Sequence, residues 1–351
     1  IMQRKSNTLS TEPYKGVRDF YPEDLFVQEH IFSVWKKAVE KFGYAKYDAS
    51  ILEPTELYKA KSGQEIVNEQ MYTFVDRGDR EVALRPEMTP TVARLVAGRR
   101  RELGYPLRLY SIPNLFRYER PQRGRLREHW QLNVDMFGLA NTSADIEIIE
   151  VASEIMKEFG AQTSDFKIRI SSRKLLNSLF NDWYELDENQ AHALSKLLDR
   201  KAKIPEETFY SEAEQIIGKP FAFLNFDLDG DRSQAFAFPN IKAAYEELKL
   251  AMDTLKERGI TNIEFDPGIV RGFDYYTGIV FEVYDTDPAN NRALFGGGRY
   301  DELMDLFGGD SMPACGFGMG DVTIRDFLET RNLLPAYKPA ASVMICIMED
   351  S

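Results

Sequence analysis

Apolar residues recur at every third or fourth position in several long segments, a spacing that predicts amphipathic helices. The first helix is predicted to begin at Pro22 and to end before Gly43, with Trp35 and Val39 on its apolar face. Further helices are predicted over residues 89–101, 145–159, 189–202, 242–258, 300–306 and 321–330.

Other segments alternate apolar and polar residues with a period of two, which predicts strands. The clearest is 128–137, where Gln131, Asn133 and Asp135 fall on one face and their apolar neighbours on the other. Further strands are predicted over residues 44–52, 71–75, 82–85, 107–112, 115–119, 166–170, 262–265, 279–284, 314–319 and 342–348. Because the strands follow one another between early and late helices, we predict an α+β fold with an antiparallel sheet flanked by helices.

The order of these elements also predicts how the chain divides. Residues 175–258 are dominated by helical patterns and carry no residues that suggest a chemical site, so we predict an inserted helical module there. Residues 1–174 and 259–332 then form one core. Residues 333–351 are predicted to be a linker followed by one strand, and a lone strand is not stable by itself. That strand either pairs with the core or begins a further domain.

Composition and charge narrow the class of protein. A length of 351 residues with 43% hydrophobic and 28% charged residues is typical of a folded globular chain with more than one structural unit. The net charge of −12 argues against unspecific coating of nucleic acid, but not against a local basic contact. No apolar run approaches the ~20 residues needed to cross a bilayer. We therefore expect no membrane span.

The cysteines and histidines point to no metal site. The two cysteines do not have the spacing of a disulfide framework or of a zinc site, and the three histidines are scattered. The same scatter gives no indication of a serine-type triad. A GxxxxGK[ST] phosphate loop is missing from the sequence as well. We expect a reducing, cytoplasmic setting and no resident metal.

The most distinctive segment is 116–127, which holds five arginines and lies between two predicted strands. Arginine grips phosphate through two parallel hydrogen bonds, whereas lysine offers a point charge. A solvated basic turn is the alternative interpretation. The flanking strands and a second arginine motif downstream favour an anionic ligand.

The second arginine motif is 269–278, where Arg271 stands between glycines and is followed by Tyr275 and Tyr276. Glycines allow close approach of backbone and ligand, and tyrosine rings offer flat walls. A tyrosine-rich strand entry with a surface arginine is the alternative. We interpret the glycines of 296–298 as a bend that leaves space for a ligand. We interpret the glycines of 316–320 as a strand with one face of bare backbone. Tight strand–helix packing explains the second pattern equally well.

The segment 84–90 places a carboxylate and a hydroxyl just before a helix. Glu87 is suited to accept an ammonium group, and we expect Thr89 to cap the helix, with Pro90 at its first position. The polar face of 128–137 runs beside the arginine-rich strand, so we predict that it lines a pocket.

Together and in this order, these motifs resemble the catalytic domain of the histidyl-tRNA synthetase family, a class II aminoacyl-tRNA synthetase. The similarity spans about residues 12–330. Segment 116–127 is similar to the second class motif, and the helix and strand that end at Pro54 are similar to the first. The histidine-specific parts are 84–89, 271–278 and 297–301. The resemblance implies a class II synthetase-type antiparallel sheet.

The resemblance also implies an activity. Such an enzyme joins L-histidine to ATP as histidyl-adenylate, releases pyrophosphate, and passes histidine to the 3′ end of tRNA(His). It uses ATP with Mg²⁺ and, in the family, works as a homodimer. Negative charge develops on phosphate or carbonyl oxygen in both steps, which fixed cations stabilise. Arg117 and Arg271 would be the catalytic residues, gripping the α-phosphate from opposite sides.

The remaining site residues follow from the same resemblance. ATP would be bound by Arg117, Arg271, Glu119 and Arg125. The histidine pocket would be formed by Glu87, Thr89, Gln131, Asp135, Tyr275 and Tyr276. The acceptor end of tRNA would contact Gln122, Arg123 and Arg127, and the helical module would hold the acceptor stem.

One position departs from the family pattern. The third class motif carries an arginine for the terminal phosphate of ATP, and Thr323 stands at that position here. Arg325 lies two residues later, roughly 200° around a helix, and is a poor replacement. Arg120 or magnesium would hold the terminal phosphate instead, or the use of ATP is impaired.

Two alternatives to a complete synthetase remain open at this point. The first is a non-catalytic, histidine-sensing regulatory subunit of ATP phosphoribosyltransferase, which resembles this domain and commonly lacks the anticodon-binding domain. The second is a truncated synthetase whose anticodon-binding domain begins near Pro339. The intact arginine-rich segment favours the synthetase over the sensor.

Overall fold

A computed structural model defines the fold. It describes residues 9–60, 66–122, 124–201, 204–218, 234–269, 275–290, 292–308, 311–339, 341 and 345. The helices are α1 (Pro22–Lys41), α2 (Thr55–Lys59), α3 (Thr89–Arg99), α4 (Ser143–Glu158), α5 (Arg173–Ser178), α6 (Glu188–Arg200), α7 (Glu206–Ile217), α8 (Pro239–Glu257) and α9 (Asp321–Thr330). Short π-helical or 3₁₀ turns cover Ile66–Gln70, Leu179–Trp183, Ala235–Ala237 and Leu303–Phe307.

The strands form two sheets. They are β1 (Ala45–Lys46), β2 (Leu52–Pro54), β3 (Tyr72–Val75), β4 (Glu81–Leu84), β5 (Leu107–Ser111), β6 (Asn114–Phe116), β7 (Glu128–Phe137), β8 (Phe166–Ser172), β9 (Ile263–Phe265), β10 (Ile279–Asp285), β11 (Ala293–Arg299) and β12 (Ala314–Gly320). The large sheet has the order β1-β5-β7-β12-β11-β10-β8-β9, with β6 paired to β7, and β2-β4-β3 form a small sheet.

The large sheet confirms the predicted α+β fold. Its interior pairs are antiparallel, and only the edge pairs β1–β5 and β8–β9 are parallel. The predicted strand 44–52 is wrong in one respect, because its two ends form β1 and β2 in different sheets. The predicted glycine bend at 296–298 is also wrong, because these residues lie inside β11.

Glycine is needed in β11 because its neighbours lie very close. A Cβ atom at Gly297 would stand 2.1 Å from the carbonyl oxygen of Gly316 on β12. At Gly296 it would stand 2.5 Å from the carbonyl oxygen of Phe281 on β10. Any side chain at these positions would therefore force the strands apart.

The hydrophobic core lies between one face of the large sheet and the helices α1, α4 and α9. Trp35 of α1, Ile149 of α4 and Phe327 of α9 are fully buried in it. They pack with Leu132 and Val134 of β7, which confirms that one face of this strand is apolar. The opposite face is left for polar residues.

The described part of the predicted helical module is not isolated from this core. Leu248 and Leu255 of α8 belong to the same hydrophobic cluster as Ile149, and α8 packs against α4, β8 and β9. The domain boundaries at 175 and 258 stay predictions. Of the predicted strand 342–348, only Ile345 is among the described residues. None of the described helices is long and apolar enough to span a membrane.

A buried ion pair ties the end of β11 to α4. Arg299 donates hydrogen bonds to the carboxylate of Asp145 and to the carbonyl oxygens of Leu139 and Asn141, both at 3.1 Å. The side chains of Arg299 and Asp145 are 1% and 2% exposed. Removing one charge of such a pair leaves the other buried and uncompensated.

We therefore expect Asp145→Asn to lower the free energy of unfolding by about 3–5 kcal/mol, as measured by urea denaturation. The control is Asp253→Asn, which removes one partner of the half-exposed Lys249–Asp253 pair. This substitution should lower the free energy of unfolding by less than about 1 kcal/mol. Equal effects of the two substitutions would contradict the role given to Asp145.

Candidate active site

A cavity opens on the polar face of the large sheet. Its floor is bare backbone, because Gly296 of β11 and Gly316 and Gly318 of β12 carry no side chain there. Its volume is about 100 Å³. It is lined by Glu87, Thr89, Arg117, Gln131, Asn133, Tyr275, Tyr276, Gly296, Tyr300, Gly316, Phe317 and Gly318. The structure thus brings together six residues that the sequence predicted for one site.

The polar face of β7 forms one wall of this cavity, as its alternating sequence predicted. Asp135 stands opposite Gly316, Asn133 opposite Gly318 and Gln131 opposite Gly320 in the register of β7 and β12. The glycines leave room for these side chains. A Cβ atom at Gly318 would come within 2.9 Å of the Gln131 amide, and one at Gly316 within 2.6 Å of the Asp135 carboxylate.

Asp135 is the electrostatic centre of the site. Its side chain is buried, and one carboxylate oxygen, Oδ1, accepts a hydrogen bond from the hydroxyl of Tyr300. The other oxygen, Oδ2, is buried without a hydrogen-bond partner among the described residues. Burial raises the pKa of Asp135 to about 7, although the hydrogen bond from Tyr300 lowers it. A carboxylate oxygen without a partner can accept a hydrogen bond from an N–H donor of a ligand.

Glu87 and the tyrosines form the opposite wall. The hydroxyl of Tyr275 donates to Oε2 of Glu87 at 3.3 Å, and both residues are buried. The ring of Tyr275 contacts that of Tyr276 at 5.0 Å and that of Tyr300 edge-on at 5.8 Å, measured between centroids. Burial raises the pKa of Tyr275 well above its ordinary value, so its hydroxyl stays neutral. Together the three rings make an aromatic wall whose rings are inclined to one another.

Thr89 lines the cavity from the start of α3. The prediction that it caps this helix is wrong by one residue, because Met88 occupies the N-cap position and Thr89 is the first helical residue. Arg117 stabilises the turn before α3, because its Nε donates a hydrogen bond to the carbonyl oxygen of Pro86 at 2.8 Å. This bond fixes the guanidinium group at the edge of the cavity.

The predicted ATP residues Glu119 and Arg125 face each other across the arginine-rich loop. Nη1 of Arg125 lies 3.3 Å from Oε2 of Glu119, and about half of the Arg125 side chain is exposed. The loop tip is closed by backbone bonds between Gln122 and Arg125, at 2.9 and 3.1 Å. Gly124 permits this tight turn with a φ of 76°. Gln122 is exposed at the tip, and Arg123 lies outside the described residues.

Arg127 lies at the base of the arginine-rich loop. Its guanidinium group stacks on the ring of Tyr118, 3.9 Å from the centroid, and bonds to the hydroxyl of Tyr14 at 3.0 Å and the carbonyl oxygen of Glu119 at 3.1 Å. Only 9% of the residue is exposed. Such a side chain stabilises the base of the loop. Its contact with tRNA stays a prediction, and these bonds argue against it.

Arg271, in the stretch 270–274, lies outside the described residues. Tyr275, four positions later, already lines the cavity. The convergence of Arg271 with Arg117 on one phosphate therefore stays a prediction.

The third-motif position contributes no cation. The hydroxyl of Thr323 donates to the carbonyl oxygen of Leu294 at 2.7 Å. Arg325 is turned towards α1, where it pairs with Asp24 at 2.8 Å, and it also pairs with Glu329 at 2.9 Å. Arg325 is therefore a poor replacement, as its position on the helix predicted.

Two residues at the site were missed from the sequence. Tyr300 bonds Asp135, and Glu282 of β10 is a buried carboxylate beside Gly296. Asn133, which the period-two pattern of 128–137 placed on the pocket-lining face, does line the cavity. For Glu282, the signal was a single acid in an otherwise apolar strand. No cluster of three or more His, Cys, Asp or Glu side chains that could hold a metal occurs in the part of the chain described here.

The chain is similar to known proteins over almost its whole length. A family model described as histidyl-tRNA synthetase matches residues 16–322. A histidine–tRNA ligase from Leptospira biflexa is 47% identical over 352 residues, which cover 99% of this chain and 80% of the relative. One from Opitutus terrae is 40% identical and covers 95% of this chain and 78% of its own length.

Solved structures agree with the fold. An ATP phosphoribosyltransferase regulatory subunit/histidyl-tRNA synthetase from Bacillus halodurans has a TM-score of 0.76 at 27% identity and covers 94% of this chain and 85% of that one. A histidyl-tRNA synthetase from Nostoc sp. PCC 7120 has a TM-score of 0.79 at 22% identity, which supports the fold alone, and covers 93% of this chain and 77% of that one.

The raised pKa of Asp135 gives a testable effect of pH on stability. Unfolded, the carboxyl ionises near pH 4, whereas in the folded protein it keeps its proton up to about pH 7. Folded stability should therefore fall as the pH rises from 4 to 7, by as much as about 4 kcal/mol without ligand. Asp135→Asn removes this titration. Between pH 4 and 7, urea denaturation should show that the free energy of unfolding of the variant rises relative to that of the wild type.

The control for this experiment is Asp253→Asn, on the exposed face of α8. Its stability curve should run parallel to that of the wild type. A parallel curve for Asp135→Asn as well would show that Asp135 is not held protonated by burial.

Proposed function

The chain belongs to the histidyl-tRNA synthetase family and is an aminoacyl-tRNA synthetase, and on this premise we propose how its site works. It activates L-histidine with ATP to histidyl-adenylate and transfers the histidyl group to tRNA(His). The observation that carries the proposal is the buried, unpartnered oxygen of Asp135, next to a cavity with tyrosine walls. Both the residue opposite Asp135, Gly316, and its hydrogen-bond partner, Tyr300, line this cavity.

The imidazole ring of histidine fits the side of the cavity next to Asp135. Its N–H donates to Oδ2 of Asp135, while Tyr300 holds the other oxygen in place. No described lysine or arginine contributes to the pKa of Asp135, so the ligand itself is the natural cation or donor. An amino acid without a polar ring would leave this oxygen buried and unpaired, which gives selectivity.

The other end of the amino acid is placed by Glu87, Thr89 and Gln131. The carboxylate of Glu87 accepts the ammonium group, and the rings of Tyr275 and Tyr276 cover the substrate. The amino acid's carboxylate then points towards Arg117, at the far edge of the cavity. This orientation brings the nucleophilic oxygen to the side from which ATP enters.

Adenylate formation depends on fixed positive charge. The histidine carboxylate attacks the α-phosphorus of ATP, and pyrophosphate leaves. Arg117 holds the α-phosphate, and its bond to the Pro86 carbonyl supports this role, because a guanidinium already in place needs no reorganisation. Arg271 is proposed to grip the same phosphate from the other side. Glu119 and Arg125 orient the adenine and the phosphates across the loop.

Magnesium is proposed to arrive with ATP as part of the substrate. Mg²⁺ is usually held by phosphates, waters and one or two carboxylates. Either Glu282, buried beside the glycine floor, or Glu119 on the loop would supply one such carboxylate. Magnesium bound there would neutralise phosphate charge. The terminal phosphate would otherwise depend on Arg120, which is exposed on the loop.

The transfer step requires the acceptor end of tRNA(His) at the same cavity. Gln122 is exposed at the tip of the arginine-rich loop, and with Arg123 it is proposed to meet the terminal nucleotides. Arg127 would act by holding the base of this loop. The helical module would contact the acceptor stem, and a cytoplasmic location is the expected setting.

The alternative function, a histidine-sensing regulatory subunit, has less support. It is favoured by Thr323 and by the Bacillus halodurans neighbour, whose description covers both functions. The relatives at 47% and 40% identity are both histidine–tRNA ligases, and the arginine-rich loop has no purpose in a sensor. The synthetase is therefore the better proposal.

Histidine-dependent exchange of pyrophosphate into ATP tests the proposal directly. The wild-type chain should catalyse it with Mg²⁺, and Arg117→Ala should lower its rate by about 100-fold or more. Arg271→Ala should have a similar effect. The control is Arg325→Ala, which removes an arginine that pairs away from the site and should leave the rate within about twofold. A folded wild-type chain without exchange would contradict the proposal.

We also propose that the chain forms a homodimer. Ile51, Leu52, Phe74 and Val75, in and beside the small sheet, are 42%, 47%, 46% and 64% exposed. Large apolar side chains grouped in this way indicate an interaction surface. A second copy is the occupant that the family resemblance supports.

Light scattering after size-exclusion chromatography should give twice the 40.3 kDa chain mass. Phe74→Asp should shift this mass towards the monomer, because it buries an unpaired charge in the interface. Leu250→Asp, at an exposed leucine of α8, should leave it unchanged. A monomeric wild type would rule out the dimer.

A further inference from the structure

Three polar groups behind the histidine pocket remain without hydrogen-bond partners in the described structure. They are the hydroxyls of Tyr47 and Ser111 and Oδ2 of Asp135, and all three atoms are buried. Buried polar atoms are rarely left unpaired, because the loss of water costs free energy. Three such atoms in one neighbourhood therefore indicate a shared partner.

The sheet register explains why these groups meet. Ser111 of β5 stands opposite Asn133 of β7, two residues before Asp135 on the same face. Tyr47 follows β1 directly, and its backbone N–H donates a hydrogen bond to the carbonyl oxygen of Tyr110, at 2.9 Å. Because β1 and β5 are parallel, this bond places Tyr47 beside Ser111.

The ring of Tyr47 turns towards the pocket. It packs against the cluster that contains Tyr275 and Tyr300, two of the cavity's walls. Burial and, to a smaller extent, the charge of Asp135 raise the pKa of Tyr47 well above its ordinary value, whereas the Ser111 hydroxyl and the Arg85 guanidinium lower it. The hydroxyl therefore stays neutral and can donate a hydrogen bond.

We propose that Tyr47 is a positioning residue for histidine recognition: with Ser111 it forms a polar back wall that holds Oδ2 of Asp135 ready for the imidazole ring. This inference rests on the proposed function of the cavity. A buried water between the three atoms would make three hydrogen bonds, the number that such waters typically make. The hydroxyl dipoles then favour the ionised carboxylate, which is the form that accepts the imidazole N–H.

The effect of the back wall on the ionisation of Asp135 depends on the other titratable groups near this carboxyl. The titratable and charged groups around the carboxyl and its back wall are the phenols of Tyr47, Tyr275 and Tyr300, the carboxylate of Glu87 bonded to Tyr275, and the guanidinium group of Arg85 near Tyr47. Burial raises the pKa of all three phenols, so each stays neutral. Because no described charged group shifts the pKa of Asp135, the hydroxyl dipoles are the means by which the described residues stabilise its carboxylate.

Calorimetric titration of the 351-residue chain with L-histidine, over a range of pH, tests the inference. Tyr47→Phe keeps the ring and removes the hydroxyl. We expect histidine to bind about tenfold more weakly, the loss of one hydrogen bond to a charged group. The acidic limb of the binding profile should move to higher pH, because Asp135 then ionises less readily. Ser111→Ala should change both quantities in the same direction.

Tyr44→Phe is the matched control. Tyr44 lies just before β1, but its ring belongs to the helix-side core and its hydroxyl bonds Glu147 at 3.2 Å. This variant should bind histidine as the wild type does, with the same pH profile. In pyrophosphate exchange, Tyr47→Phe should raise KM for histidine and leave KM for ATP and kcat within about twofold.

An unchanged affinity and pH profile in Tyr47→Phe would overturn the inference. So would equal losses in Tyr47→Phe and Tyr44→Phe, because these would indicate a packing effect. Failure of the wild type to exchange pyrophosphate while it still binds histidine would refute the proposed catalysis alone, since calorimetry measures recognition without the chemical step.

Discussion

The site is organised around one buried carboxylate that has a single fixed partner. Tyr300 occupies one oxygen of Asp135, and the other oxygen is buried without a described partner. Burying a charge is costly unless it is paired, so the carboxyl holds its proton up to about pH 7 when no ligand is bound. A ligand that brings an N–H donor pairs with the carboxylate and removes this penalty. The folding free energy that the unliganded protein loses to the unpaired carboxylate is then recovered as affinity for the substrate.

The antiparallel sheet makes this arrangement possible. Strand β12 lies between β7 and β11 in the sheet, although β7 is far from both in the chain. The glycines of β11 and β12 leave open the area that side chains would fill. The walls come from elsewhere: Glu87 from the turn before α3 and Tyr275 from the approach to β10. The Arg299–Asp145 pair ties the end of β11 to α4, and thereby fixes the strand that carries both Gly296 and the approach to Tyr300.

The local pattern was enough to predict much of this. The alternation of 128–137 correctly assigned its two faces, since a buried sheet allows only one register. The glycines of 296–298 were misinterpreted because residues without side chains show no alternation, and a strand and a bend then look alike. Tyr300 was missed because its partner Asp135 is 165 positions away. Likewise, nothing near Arg127 indicated that Tyr14, 113 positions away, would bond it. Contacts of that range depend on the whole fold.

The central claim is that Oδ2 of Asp135 receives the substrate ring, and a crystal structure of the chain with bound L-histidine tests it most directly. The account predicts an imidazole nitrogen within about 2.7–3.2 Å of that oxygen, with Tyr300 still bonded to the other one. An imidazole ring bound elsewhere in the cavity, or a carboxylate turned away from it, would contradict the account.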